Sequence, residues 1–389
     1  MKWPLAVPSM TALDKLKIGY WLLTNDHWSA GAEVRRYERM WEQYTGCPHA
    51  VMVSSGSAAN FLIAQRLKEE LERSGQWKRN RTVLFPAVNW ISSISPFVQQ
   101  GFDPVFMDVS SNLCSSSDQV HAAIRKYNPV AVFYTTLLGF AGDLHGITDA
   151  CNKARIPLYL DNCESSFSTF HENLWYSDKK KHCCNMVTSS TSIYFSHHTS
   201  GNQEGGFIFC QDDDEANWYR MARNHGMTRG MPKRYLNPNV DSRFDFYLMG
   251  SNHRSTNLAA YMASLDFERA LDFREERQNL SWLFSESLDE NRYERPHHHI
   301  NGEVPLVLPI VAKQSGHIHK VKDLLTRLGV ESRPIVGGNM LRHTAFDGLG
   351  NPDDFPRAQH IHDNGVYIGL HKGVTRKMVR SLADSLNRL

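Results

Sequence analysis

A chain of 389 residues, 41% hydrophobic and 22% charged, is long enough to bury one large core and a smaller second one. Its formal net charge of +2, with no basic stripe interleaved with aromatics, argues against a nucleic-acid partner. No window approaches a membrane span, Pro4 and Pro8 cut the N-terminal apolar run short of a signal peptide, and seven cysteines without framework spacing suit the reduced thiols of a cytoplasm.

Apolar residues Val34, Tyr37, Trp41 and Tyr44 recur every three or four positions and predict a helix over 33–44. A short strand over 50–53 leads into Ser54-Ser55-Gly56-Ser57-Ala58-Ala59-Asn60 and a second helical pattern through Leu67. A strand, a small-residue turn and a helix can cradle a phosphate. The helix N-terminus exposes unpaired N–H groups, and side chains this small let an anion approach them. The same residues also make an ordinary helix cap.

Strand patterns follow at 82–85, 104–107, 130–134 and 157–160, with helix-compatible stretches between several of them. Such alternation predicts an α/β fold, a mainly parallel sheet flanked by helices, with ligands at the carboxyl ends of the strands. The residues just past those ends are therefore the candidates. Trp90 follows the strand at 82–85, either as an aromatic at the mouth of the sheet or as a core side chain. Asp161 ends the strand at 157–160 and opens Asp161-Asn162-Cys163-Glu164-Ser165. A carboxylate there is costly to bury unless it meets a cation, and a protonated pyridine nitrogen would be one. A helix N-cap is the simpler use of the same residue.

A strand over 191–195 runs through the polar turn Ser196 to Glu204, which holds His197 and His198, into a strand at 206–210. Residues 224–252 carry several Gly and Pro with little periodicity and predict a long functional loop. A helix is expected over 256–273, with the domain boundary there: a large domain, 1–255, and a smaller C-terminal α+β domain, 256–389. Beyond it, 285–302, with His297-His298-His299, reads as a polar loop. Residues 305–311 and 330–336 read as strands, 317–328 and 375–386 as helices.

Taken in order, Ser55 to Asn60, Pro86 to Trp90, Asp161 to Ser165, Ser196-His197-His198 with Glu204-Gly205-Gly206, Asn252-His253-Arg254, and Arg333-Pro334-Ile335-Val336-Gly337-Gly338-Asn339 carry a resemblance. Over nearly its whole length the chain resembles the DegT-type sugar aminotransferases and dehydratases, of pyridoxal-phosphate fold type I. The resemblance implies a mainly parallel, seven-stranded-type sheet and a homodimer whose active sites are built between subunits. It implies pyridoxal 5'-phosphate (PLP) or its amine form, pyridoxamine 5'-phosphate (PMP), as cofactor. Gly56, Ser57 and Ala58 would hold the cofactor phosphate with Ser192 and with Asn252 of the partner subunit. Trp90 would stack on the pyridine ring, Asp161 would pair with its nitrogen, and Glu164 would lie near the ring hydroxyl.

The position of the family's cofactor-binding lysine is filled here by histidine. A stable internal Schiff base needs a primary amine, which imidazole lacks, yet imidazole moves protons near neutral pH. Counting from Tyr194-Phe195-Ser196 puts His197 at that position. Counting back from Glu204 puts His198 there, because the turn is one residue longer than in the relatives. The lead-in favours His197. The reaction implied is a glutamate-dependent C3 dehydration of a nucleotide-linked 4-keto-6-deoxyhexose, GDP-linked favoured, giving a 3,6-dideoxy-4-keto sugar and ammonia. His225, Arg229 and Arg254 are candidate contacts for substrate phosphates or carboxylates. An aminotransferase-like enzyme and an inactive nucleotide-sugar-binding homologue are the alternative readings. One branch of the family adds a two-iron cluster on four cysteines. Only Cys210 follows His198 here, so neither an iron–sulfur cluster nor another metal is expected, and Cys183-Cys184 beside His182 read as ordinary thiols.

Overall fold

In the computed structural model, which describes residues 2–169, 187–295 and 302–389, two helices come first, α1 (Ala12–Thr24) and α2 (Ala32–Thr45). The three-to-four spacing of Val34, Tyr37 and Trp41 does what it predicts: all three are buried on one face of α2, and Gly46 ends the helix in a left-handed conformation at φ 68°. The large sheet is then laid down through β1 (His49–Val53), α3 (Gly56–Arg73), β2 (Thr82–Pro86), α4 (Ile91–Gln100), β3 (Asp103–Met107), α5 (Ser117–Tyr127), β4 (Ala131–Thr135), α6 (Leu144–Ala154), β5 (Leu158–Asp161), β6 (Ser189–Ile193), β7 (Gly205–Cys210) and α7 (Asp213–Ala222).

Among the described residues its strand order is β1-β7-β6-β5-β4-β2-β3. The pairs β2–β3, β2–β4, β4–β5 and β5–β6 are parallel, whereas β7 is antiparallel to both β6 and β1. Two antiparallel steps return β1 to the direction of β6. The carboxyl ends of β1, β2, β4, β5 and β6 and the amino end of β7 therefore share one edge, where a parallel α/β sheet binds its ligands. The strand expected over 191–195 stops at Ile193, and Tyr194 and Phe195 stand exposed beyond it.

The chain continues through α8 (Asn257–Asp272), α9 (Arg274–Ser287), β8 (Tyr293–Glu294), β9 (Val307–Ala312), α10 (His317–Leu328), β10 (Ser332–Pro334), α11 (Pro356–Asn364), β11 (Gly365–Gly369) and α12 (Arg376–Asn387). Ala260, Ala263 and Phe267 of α8 pack with Tyr37, Trp41 and Phe207, while Leu280 and Phe284 of α9 pack with Leu308, Val321 and Leu382. The antiparallel sheet β10-β11-β9-β8 forms the floor of the second core. Trp3 is fully buried in it: the indole donates to the Gly369 carbonyl at 2.8 Å and the main chain bridges to Val330.

The expected loop over 285–302 is in part secondary structure, since α9 runs to Ser287 and Tyr293–Glu294 pair with β9. His297, His298 and His299 lie outside the described residues, as do His182, Cys183 and Cys184. The strand expected over 330–336 shortens to β10 because Val336 turns to φ +47°, a conformation rarely open to a β-branched residue. Among the described residues no helix is long and apolar enough to cross a membrane.

Candidate active site

Asp161 closes β5 and is 3% exposed. Among the described residues that follow it, 162–169, no helix begins, so it is not a helix N-cap there. Its Oδ1 accepts the Cys163 amide at 3.0 Å, and its Oδ2 accepts Asn60 Nδ2 at 2.8 Å and Ser93 Oγ at 2.6 Å. Asn60 is itself fixed, donating to the Ser92 carbonyl while Ser190 Oγ donates to its Oδ1. The donors around this carboxylate are all neutral. A buried carboxylate held only by dipoles keeps most of its charge uncompensated, which is the setting that attracts a ligand cation.

Ser55 caps α3, its Oγ accepting the Ala58 amide at 3.0 Å. That leaves the Gly56 and Ser57 N–H groups at the helix start without intrahelical acceptors. Gly56 cannot be larger: a Cβ there would lie 2.7 Å from Cys163 Sγ and 2.9 Å from Ser192 Cβ. Gly206, paired with Ser192 across β6–β7, backs onto the same turn, and its Cβ would lie 2.4 Å from the Ser55 carbonyl carbon. The cup is thus built of Ser55 to Ala58, Ser192 and Gly206, beside Cys163 and so beside Asp161.

Trp90 precedes α4 and is 55% exposed at the sheet edge, which excludes the core alternative. Its amide donates to Asn89 Oδ1 at 2.8 Å, an oxygen also held by Thr135 Oγ1 at 2.9 Å. The same loop receives the smaller sheet's neighbourhood: Gly337 N donates to the Asn89 carbonyl and Met340 N to the Ala87 carbonyl.

The two adjacent histidines point to different places. His197 is half-buried on the Tyr194–His197 turn. Loss of water pushes its pKa down to about 4, although the Ser192 main chain and the Asp161 charge pull the other way. It is a neutral imidazole at pH 7, within the field of Asp161. His198 is 5% exposed and lies tilted against Phe167, ring centroids 5.5 Å apart; its Nε2 meets the Val304 carbonyl at 2.9 Å, and since a carbonyl can only accept, Nε2 carries the hydrogen. Burial, and next the Arg277 charge, hold its pKa well below the usual range.

Glu164 lies half-buried beyond Asp161, its Oε2 accepting the Leu138 amide at 2.8 Å. Removal from water pushes its pKa up to about 7, more than the Leu138 amide restores, and the Asp161 charge adds to the rise. Leu138 sits at φ +55° and its carbonyl accepts the Leu306 amide, so the segment entering β9 grips both this turn and, through Val304, His198.

The remaining candidates occupy the 224–254 loop. Asn252 bridges Asn224, and residues 253–254 run beside the end of β1, where Ser54 N donates to the His253 carbonyl. Exposed Arg254 donates to Asn252 Oδ1 at 3.0 Å, exposed His225 lies against Ser251, and exposed Arg229 turns to the Arg243 carbonyl at 3.0 Å. Among the described residues none of His225, Arg229 and Arg254 hydrogen-bonds to the Asp161 group. Residue types alone did not single out Asn60 and Ser93 as holders of Asp161, or the Leu138 amide on Glu164. Asn60 does close the small-residue turn, and that was its signal.

A DegT/DnrJ/EryC1/StrS aminotransferase family model matches residues 14–387. The chain is 26% identical over 381 residues to a GDP-4-keto-6-deoxy-D-mannose 3-dehydratase of Yersinia pseudotuberculosis, covering 94% of each chain. It is 26% identical over 386 residues to one from Escherichia coli O55:H7, covering 96% of each. An E. coli GDP-4-keto-6-deoxy-D-mannose-3-dehydratase solved with bound hydrated PLP superposes at a TM-score of 0.87 and 25% identity over 100% of this chain and 99% of that one. With a family model spanning nearly all of it and the cup, carboxylate and histidine turn in place, the chain belongs to the DegT/DnrJ/EryC1/StrS aminotransferase family.

Proposed function

We propose that this protein is a PLP- and PMP-dependent 3-dehydratase acting on a nucleotide-linked, GDP-favoured 4-keto-6-deoxyhexose, with glutamate as amino donor and reductant. The observation that carries this reading is a buried Asp161 among neutral donors together with a histidine where an amine-bearing lysine would tether the cofactor. The residues present fit the cofactor. Asp161 lacks a cation that a pyridinium supplies, and the cup at Gly56 and Gly206 is closed to any Cβ.

When bound there, the cofactor supplies an amine that condenses with the sugar's C4 ketone and a ring that takes up the electron pair. The α3 N-terminus, through Gly56, Ser57 and Ala58, would hold the phosphate with Ser192 and, in a homodimer, with Asn252 of the partner subunit. Asp161 would pair with the ring nitrogen and favour its protonated form, Trp90 would stack on the ring, and Glu164 would lie near the ring hydroxyl. His197 would be the group that accepts and returns the proton at the cofactor's C4' as the C3 hydroxyl departs as water, while His198, held by Val304, anchors the turn. His225, Arg229 and Arg254 would contact phosphates or carboxylates of the anionic substrates. Glutamate is oxidised to 2-oxoglutarate, its nitrogen leaves as ammonia, and its two electrons replace the C3–OH bond with C–H. The sequence supplies no cysteine set for an iron–sulfur cluster downstream of His198, and we place the enzyme in the cytoplasm.

The test is an absorbance spectrum of the protein with PLP before and after glutamate, followed by an ammonia assay with GDP-4-keto-6-deoxymannose. The expected result is conversion of the aldehyde band to the amine band, then stoichiometric ammonia and a 3-deoxy product. Formation of a stable 4-amino sugar instead would make the protein an aminotransferase.

A further inference from the structure

The turn from His197 to Glu204 is packed against α8. Gly201 sits at φ +51°, and a Cβ on it would meet the Ala263 main chain at 2.6 Å. Asp266, 2% exposed on α8, accepts the Ser200 amide at 3.3 Å and the Gly201 amide at 3.5 Å on Oδ2. Its Oδ1 faces Arg269 at 3.5 Å, and Arg269 also reaches Asp14 of α1 at 2.9 Å and the Ser9 carbonyl at 3.3 Å. Ser9 returns to the turn, its Oγ 2.8 Å from Ser200 Oγ and its amide 3.3 Å from Asn202 Oδ1.

The far half of the turn is therefore clamped from α8 and from the segment before α1, while the near half is pinned by His198 on Val304. Between adjacent residues the side chains diverge, so fixing the main chain on both sides decides which histidine faces the sheet edge. We propose that Asp266 is a positioning residue that sets the register of the two histidines, directing His197 toward Asp161 and His198 into the core. This rests on the reading of His197 as the proton carrier.

Its action is that of an acceptor for two amides, which an asparagine oxygen can reproduce and an alanine cannot. Three variants separate the possibilities: Asp266→Ala removes the acceptor, Asp266→Asn keeps it without charge, and Gly201→Ala displaces the turn with Asp266 intact. Two readouts are followed on the full-length protein. One is amide hydrogen exchange of the 194–204 segment without cofactor, and the other is the rate and stereospecificity of C4' hydrogen exchange of bound PMP in deuterated water. Asp266→Ala and Gly201→Ala are expected to speed amide exchange in the segment and to slow C4' exchange by about 10- to 100-fold, the scale of an ångström-sized misplacement. They should also lose its stereospecificity, while Asp266→Asn stays within a few-fold of wild type on both readouts. Unchanged amide exchange in Asp266→Ala, unchanged stereospecificity in Gly201→Ala, or Asp266→Asn behaving as Asp266→Ala would each overturn the proposal. Absence of C4' exchange in the wild type would instead overturn the function on which it rests.

Discussion

His197 and His198 are neighbours with opposite surroundings, so single substitutions separate them. His197→Asn removes the proton carrier and is expected to lower ammonia release at least ~100-fold with PLP binding retained, the loss typical of a general base. His198→Gln keeps an N–H donor for the Val304 carbonyl and should leave turnover within a few-fold, whereas His198→Ala leaves that buried acceptor unpaired and should cost about 1–3 kcal/mol of stability by denaturant titration. Equal loss of turnover in the His197→Asn and His198→Gln proteins would refute the division of labour. Glu164 gives a pH signature of its own. Its folded pKa, near 7, lies above the ordinary 4.5, so the fold favours the protonated form. That contribution is whole below about pH 4.5 and is lost as pH rises through 7, on the order of 3 kcal/mol at most. Glu164→Gln should flatten the fall in apoprotein stability between about pH 5 and 8. The sign reverses for His197, whose lowered pKa gives stability present above pH 6.5 and lost as pH falls toward 4.

At the scale of elements, the cup depends on β7 approaching the start of α3 without a side chain between them. Gly206→Ala would put a methyl 2.4 Å from the Ser55 main chain and push the helix N-terminus off the phosphate position. PLP affinity, followed by fluorescence titration, should weaken at least tenfold while the thermal transition stays cooperative; unaltered affinity would show that the cup is not the phosphate site. Much of this was legible beforehand. The parallel strands read as apolar runs because both their faces are covered, and the turn at 54–60 read as a cup because only small residues fit there. The edges were less legible. The strand expected to reach Phe195 stopped at Ile193, and β11 went unread because Gly-Val-Tyr-Ile-Gly is too short to carry a period. Asp161 read as easily as a cap, since what distinguishes the two is Asn60 and Ser93, brought to it from α3 and α4 by packing that no local pattern encodes.

For the whole molecule the open contact is the one between copies. Asn252 is exposed, lies at the end of the 224–254 loop, and its side chain accepts from Arg254, so within its own chain it has no bond to the cup it is proposed to serve. If this chain forms the proposed homodimer with each loop at the other's cup, an active site needs His197 from one chain and Asn252 from the other. Subunit mixing tests this directly. Under that arrangement, each of His197→Asn and Asn252→Ala alone would disable both sites of its own homodimer. In a hybrid dimer one site collects both defects, while the other has an intact His197 and an intact Asn252. If equal amounts of the two inactive proteins are mixed and allowed to exchange subunits, half of the dimers are hybrids with one good site each, and activity should return to about a quarter of wild type. If Asn252 instead served its own chain, every site would carry one defect and mixing would restore nothing, provided that a tagged-subunit pull-down shows exchange to be complete.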